Sequence, residues 1–293
     1  MMIKQVSNLL HPKMKEKIVT AVCHLSIGNK VLEWYDRQTT DVYFLSFPKC
    51  GRTWLRLMLG KAFALYLDTD KTDLLNLKQF SKICPEIPAI KTDHDHDIHF
   101  KTPDELSTVK TEYAGKKVIL LVRDVRDVAV SSYFEYTRRR RQHVNRFSSP
   151  YYEGSISSFL RHPVGSVDTF IHFYNIWAMN RNIPESFMLI RYEDLHKNSA
   201  YELRRVLDFL GLPDISDKIV HEAVEYTRFE RMRKRERAEA IESSALRPAD
   251  KDDPESYKTR KGKVGGFADY LTQADIDFLN QKMKELSSYY EYR

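Results

Sequence analysis

The chain has 293 residues, of which 42% are apolar and 30% charged, and its formal net charge is +6. That length buries a sizeable core without covalent staples and suits one large α/β domain or two small ones. Cys23, Cys50 and Cys84 are too few and too scattered for a disulfide framework or a zinc site, which points to a reducing, cytoplasmic setting. No apolar run reaches the roughly 18 residues that a membrane-spanning helix needs. The basic excess favours an anionic ligand without naming it.

In chain order, Ile18 to Ile27 (IVTAVCHLSI) follows lysines as a secretory core would. His24 interrupts it and no small-residue cleavage site follows, so residues 1–40 are expected to form an N-terminal helical segment packed on the domain. Four short apolar runs read as buried parallel strands: Val42 to Phe47, Ile87 to Lys91, Lys117 to Arg123 and Phe187 to Tyr192. Helical patterns lie between and after them, at Thr53 to Tyr66, Asp127 to Arg141, Ser166 to Arg181 and Tyr201 to Leu210, the last stopped by Gly211 and Pro213. The alternation predicts a single α/β domain over 41–293, with a central parallel sheet and helices on both faces. Residues 229–263 are rich in charge, poor in large apolar groups and broken by Pro248 and Pro254, which predicts a mobile lid. Thr272 to Tyr289 resumes a helix, with Thr272 as cap and Asp275 three residues on, close to a capping box.

The turn "FPKCGRTW" leaves the first strand and enters the first helix. It is not a Walker loop, because its lysine precedes the glycine. Its parts are still those of an anion cradle. Gly51 allows close backbone approach, Thr53 offers a hydroxyl, the helix start favours negative charge, and Lys49 and Arg52 are cations. Trp54 adds a flat surface for a base. In "LLVRDVRDVAVSSYFEY" an arginine ends a strand and a serine follows eight residues later, placing Arg123 and Ser131 where α/β folds bind ligands. Arg126 and Asp127 read as a local pair at the helix start.

"FPKCGRTW" resembles the Tyr-Pro-Lys-Ser-Gly-Thr-Thr-Trp loop of sulfotransferases that use 3′-phosphoadenosine-5′-phosphosulfate (PAPS). Cys50 stands for the small polar residue and Arg52 for a threonine. Three further stretches resemble that family's segments in the same order: "LLVRDVRDVAVSS", "IRYEDL" with "YTRFERM", and "RKGKVGGF". The resemblance implies a P-loop-kinase-like phosphate-binding turn and transfer of a sulfuryl group from PAPS to a hydroxyl or amine, leaving 3′-phosphoadenosine 5′-phosphate (PAP). It implies that Lys49, Cys50, Gly51, Arg52, Thr53 and Trp54 hold the 5′-phosphosulfate side, and Arg123 and Ser131 the 3′-phosphate. Tyr192, Thr227 and Phe229 would contact the adenine, while Arg260, Lys261 and the Gly262 backbone would close on the 3′-phosphate. Lys49 would stabilise the leaving phosphate, and Ser131 would hold Lys49 back until an acceptor arrives. Gly266 and Phe267 depart from the family's Asp-Trp, and the dimer motif survives only as Ala268, Thr272, Gln273 and Asp277. A monomer, or a dimer built differently, is therefore expected.

Sulfuryl transfer needs a base near neutrality, which suits histidine. The family's base follows a strand, and here that place is "AIKTDHDHDIHF". Strict register puts Asp93 there; a shift of one residue puts His94, and His96 follows. His94 is the expected base, with His96 and Asp93 as alternatives. The same cluster read by ligand type alone is a metal site, although the family requires no metal. "RRRR" (Arg138 to Arg141) and "RMRKRER" (Arg231 to Arg237) read as solvated helix faces or as a nucleic-acid patch. A small-molecule kinase is the alternative within enzymes. The acceptor stays open among small molecules, carbohydrates and lipids. Tyr133, Phe134, Tyr136, Phe147, Tyr151 and Tyr152 are candidates to line its pocket or to serve as core.

Overall fold

Four of the short apolar runs pair into one parallel sheet: β1 (Val42–Ser46), β2 (Ile90–Asp93), β3 (Lys117–Val122) and β4 (Ser186–Arg191), in the order β2-β1-β3-β4. The structure, a computed structural model, describes residues 26–70, 73–139, 152–240 and 246–292. Val42 lies beside Ile90 and Lys117, and Lys117 beside Ser186, so the strands run together and end at one edge. Every residue of β1 is buried, as a strand covered on both faces requires.

The chain divides between Asp41 and Val42 into two units. The first contributes helix α1 (Ser26–Gln38); the apolar stretch before it, through residue 25, lies outside the described residues. The second holds the sheet and helices α2 (Arg52–Tyr66), α3 (Phe80–Ile83), α4 (Val125–Phe134), α5 (Ile156–Leu160), α6 (Val167–Asn180), α7 (Tyr192–Lys197), α8 (Ser199–Leu210), α9 (Asp217–Tyr226), α10 (Phe229–Arg237) and α11 (Gln273–Met283). α2 packs on α8 and α9, while α6 packs on α4 and α11. Because β1 leads to β2 on one side and β3 lies on the other, the chain switches direction between β1 and β3. Ligands of open α/β sheets bind at the strand ends beside such a switch.

Several boundaries differ from the sequence reading. β2 starts at Ile90 rather than Ile87, because Pro88 has no N–H to give a ladder. α4 starts two residues early: the Asp124 carboxylate accepts the Arg126 N–H at 2.9 Å and caps it. It ends at Phe134 and passes into one π-turn, Glu135–Arg139. Residues 140–151, which include Arg140, Arg141, Phe147 and Tyr151, lie outside the described residues. Arg126 and Asp127 are not a local pair. Arg126 binds Asp124 at 2.6 Å and Asn280 at 2.9 Å, whereas Asp127 accepts the Gly265 and Phe267 N–H groups at 2.9 and 3.0 Å. Thr272 caps α11, and the Asp275 carboxylate accepts from the Thr272 hydroxyl, Ser157 and Arg161 rather than from the Thr272 backbone N–H of a capping box.

The charged segment 229–263 packs more than its composition suggests. Met232 and Leu246 join Leu57 and Leu75 in a small apolar cluster, and Tyr257 is buried. The buried Glu236 carboxylate accepts from the Lys258 and Thr259 N–H groups and from the Thr259 hydroxyl, at 2.5, 2.8 and 2.6 Å. A few well-placed apolar groups and one carboxylate that collects backbone donors do the packing that a count of apolar residues misses.

Candidate active site

The turn after β1 is bent by two residues in the left-handed region, Lys49 (φ +74°) and Gly51 (φ +95°). A Cβ on Gly51 would lie 2.6 Å from the Tyr192 ring, so only glycine lets α7 approach this turn. α2 begins at Arg52 and points its first N–H groups into the space beyond the strand ends. Cys50 is the exception among the turn residues. Its thiol is buried, faces the Tyr174 hydroxyl at 3.2 Å and is pushed up to about 12 by burial. It packs the core, so any contact it makes with a ligand is through its backbone.

A cavity of about 590 Å³ opens above this edge, a size typical of small-ligand pockets. One end is aromatic. Trp54 meets Tyr192 edge to face at 5.8 Å, and its indole N–H donates to the Thr227 carbonyl at 3.0 Å. Phe229 lies so close to Gly262 that a Cβ there would clash with its ring. Thr227 is fully buried and its hydroxyl donates back to Ala223 and Val224, so that hydroxyl is spent on ending α9. Arg123 lies 4.2 Å over the Tyr192 ring, pairs with Asp127 at 3.2 Å and donates to the Lys263 carbonyl at 3.0 Å. Its Nε is buried with no hydrogen-bond partner, a cost that an incoming anion would remove. Arg260 is stacked between Phe134 and Tyr270 and bound to Glu255 at 3.0 Å. Lys261 reaches Asp269 at 3.1 Å. Ser131, Arg260, Lys261 and Gly262 all border the cavity, as do Thr53 and Trp54.

The other end is charged. Lys49 Nζ lies 2.5 Å from Glu135 Oε2, both side chains being mostly buried, and Arg139 stands 3.8 Å from the same carboxylate. Burial works to raise the Glu135 carboxyl, but Lys49, Lys258 and Arg139 outweigh it and hold it well below the usual carboxylate range. Burial lowers the Lys49 amine, and Glu135 opposes that loss. Ser131 borders the same cavity, while Lys49 Nζ donates to Glu135. Lys258 borders the same end, and burial followed by the Lys49 charge puts its amine well below the ordinary lysine range.

His94 follows β2 directly. Its Nδ1 lies 2.9 Å from the Ser46 carbonyl, which only accepts, so Nδ1 carries the proton and Nε2 keeps a lone pair. Nε2 faces the Arg52 guanidinium at 2.7 Å, and Arg52 also donates to the Asp93 carbonyl. Burial first, then Arg52, holds His94 well below the ordinary imidazole value, so it is neutral near pH 7. Burial also brings Arg52 down to about 10. The alternatives point elsewhere. Asp93 accepts its neighbour's N–H at 2.6 Å, and half-exposed His96 faces Glu112 at 3.7 Å. Asp95, His96 and Glu112 bring ligand atoms within 4.8 Å of one another. Asp95 is already engaged by Tyr113, Trp177 and Lys110 at 2.7, 3.1 and 2.6 Å, so the cluster supports no metal site.

Sequence reasoning missed Glu135 and Lys258. Glu135 lies one helical turn beyond Ser131, a spacing that puts both on one side; that was the available signal. Lys258 precedes the recognised Arg260 by two residues and had none. Of the aromatic candidates, Tyr136 lines the cavity, its hydroxyl donating to the His99 carbonyl at 3.1 Å. Phe134 carries Arg260, and Tyr133 and Tyr152 pack with Phe159.

The profile of the Sulfotransferase domain family matches residues 39–290. The chain is 24% identical over 265 residues to the flavonol 3-sulfotransferase of Flaveria bidentis, covering 84% of this chain and 81% of that protein. It is 24% identical over 267 residues to sulfotransferase 1E1 of Bos taurus, covering 86% and 83%. Among solved structures it resembles mouse sulfotransferase SULT7A1 complexed with PAP, at TM-score 0.54, 21% identity and 84% coverage of each chain. It also resembles retinol dehydratase in complex with androsterone and inactive cofactor PAP, at TM-score 0.52, 19% identity and 84% and 80% coverage. Cytosolic sulfotransferase 10 of Arabidopsis thaliana is 22% identical, covering 86% and 79%; among the described residues here, no helix is long and apolar enough to cross a membrane. The kinase and nucleic-acid readings are not favoured by any of these matches. The chain belongs to the sulfotransferase family and is a PAPS-dependent sulfotransferase.

Proposed function

We propose that the aromatic end of the cavity holds the nucleotide and the charged end carries out transfer to a hydroxyl or amine of a small-molecule acceptor. The observation that carries this is the convergence of Lys49, Arg52, His94 and Arg123 at the strand ends, around one cavity. The residues fit the donor. Trp54 and Tyr192 offer ring faces, Arg123 has an unpartnered buried Nε, and the turn before α2 exposes backbone donors beside two cations. When bound, PAPS supplies a sulfuryl group that bonds to the acceptor oxygen or nitrogen while its bond to the 5′-phosphate breaks, the electron pair staying on that phosphate.

His94 Nε2 takes the acceptor proton, its ring held in the right tautomer by the Ser46 carbonyl. Arg52, which caps that lone pair without ligand, has a better partner in sulfuryl oxygens and thereby frees the base. Lys49 neutralises charge on the leaving phosphate. Arg123, with Ser131 and Arg260, receives the 3′-phosphate. Calorimetry tests this reading: PAP should bind far more tightly than 5′-AMP, because these donors lose their anion when the 3′-phosphate is absent. Equal affinities would remove it. The contacts of Arg260 to Gly262 with nucleotide would also reinforce the anchored segment, so trypsin should cut within residues 229–263 more slowly when PAP is present.

A further inference from the structure

We propose that Glu135 is a positioning residue for sulfuryl transfer: its carboxylate keeps the Lys49 ammonium charged and aimed across the charged end of the cavity. The inference rests on the role given to Lys49 above. Three features of the geometry carry it. The pair is short, at 2.5 Å, with side-chain exposures of 8% and 15%. Both partners are placed by unusual backbone: Lys49 has a left-handed φ of +74°, and Glu135 opens the π-turn that ends α4. Such turns recur at functional sites because they redirect a side chain without breaking the helix. Both residues also border the cavity rather than the core.

The surroundings explain why Lys49 needs a counter-charge. Arg52, at the start of α2, borders the same cavity, and from β3's end the Arg123 guanidinium reaches the Lys49 backbone carbonyl at 3.5 Å. From the π-turn come Glu135 and Arg139, and from the segment before α11 come Lys258 and Arg260. His94, after β2, is neutral near pH 7. Among the described residues, Glu135 is the carboxylate that acts on Lys49 amid these cations. A buried ammonium crowded by cations gives up its proton unless something opposes it. A neutral Lys49 would have no charge to lend the leaving phosphate. Glu135 also leaves Lys49 reachable, since an ion pair is exchanged for a phosphate oxygen more readily than a covalent or fully enclosed partner would be.

Competitive acetylation of the ligand-free enzyme with acetic anhydride, read at Lys49 by mass spectrometry across pH, reports the protonation of that amine directly. Glu135→Gln should let Lys49 react at lower pH than in the wild type, and Glu135→Asp should shift it less. Turnover of Glu135→Gln should fall by about tenfold or more as pH rises through the lowered Lys49 value, with PAP affinity kept within about twofold. If Glu135→Gln does not melt cooperatively, Glu135→Asp carries the test. An unchanged Lys49 labelling profile in the folded variants overturns the proposal. Failure of the wild type to bind PAP would instead overturn the nucleotide reading, while the labelling result would still stand or fall alone.

Discussion

The two ends of the cavity are built by different physics. The end proposed for the nucleotide uses rings, backbone carbonyls and arginines already satisfied on most of their donors: Trp54 on Thr227, Arg123 on Lys263 and Asp127, Arg260 on Glu255. The transfer end places ionisable groups directly on one another, Lys49 on Glu135 and Arg52 on His94. Shape at the first end tolerates small electrostatic changes, because stacking and backbone contacts do not depend on protonation. At the second, each group sets the charge of its neighbour, so one substitution is felt by all. Binding and turnover should therefore separate cleanly under mutation.

The hardest test of that separation removes the base. His94→Ala should lower kcat by about 10² to 10⁴, the usual range for loss of a general base, while PAP affinity stays near wild type. The loss should shrink for acceptors of lower pKa, which need less help to shed a proton. Turnover that survives His94→Ala but collapses in His96→Ala would move the base two residues along and undo the tautomer argument. Lys49→Ala comes next, with kcat lower by about 10² if the loss is like that of one oxyanion donor. It should show no such dependence on acceptor pKa. Kinetics for both variants over a graded acceptor series checks the pair. A large fall in PAP affinity in either would mean that the two ends are not separable.

The nucleotide end was also the legible one. The stretches "FPKCGRTW", "LLVRDVRDVAVSS" and "RKGKVGGF" border one cavity, and the continuous apolar runs form the parallel sheet. Cys50 shows the limit: motif position placed it with the phosphate, but which way a side chain faces in a turn of left-handed residues is not written in the spacing. The transfer end was harder for the same reason. Glu135 reaches Lys49 because α4 gives way to a π-turn, and Lys258 arrives from a segment whose packing depends on the buried Glu236. Beyond the one-turn spacing from Ser131, neither event has a periodic signature. Placing the proposed base needed the true end of β2, which runs to Asp93 rather than stopping at Lys91 and so brings His94 directly after the strand.

A smaller effect probes the seam between the ends. Gly51→Ala would force a Cβ into the left-handed region and against the Tyr192 ring. The backbone alone costs about 1–2 kcal/mol, and a chain of this size loses roughly 2–4 °C of Tm per kcal/mol. The turn must also back away from α7, which loosens the Arg123–Tyr192 stack and weakens PAP binding while leaving the Lys49–Glu135 pair intact. Thermal melts and calorimetry measure both effects. A variant with wild-type Tm and PAP affinity would show that the turn is not held by Tyr192.

The subtlest test concerns Arg52, the cation that touches His94. With Arg52 present, His94 sits well below the ordinary imidazole value, through burial first and then the neighbouring guanidinium. Arg52→Thr removes the second cause and leaves the first. The folded pKa of His94 should therefore rise toward, without passing, about 6.5. A base works only when unprotonated, so the acid limb of the kcat/KM profile, which reports the free enzyme, should move to higher pH. Stability follows the same linkage. Because His94 takes up its proton at lower pH when folded than when unfolded, its contribution is complete above about pH 6.5 and is lost as pH falls toward the folded value. Arg52→Thr narrows that window, so stability should fall less steeply between pH 6.5 and the acid limb than in the wild type. An unmoved acid limb would mean that burial alone sets His94, and that the 2.7 Å contact between Arg52 and Nε2 has no part in tuning the base.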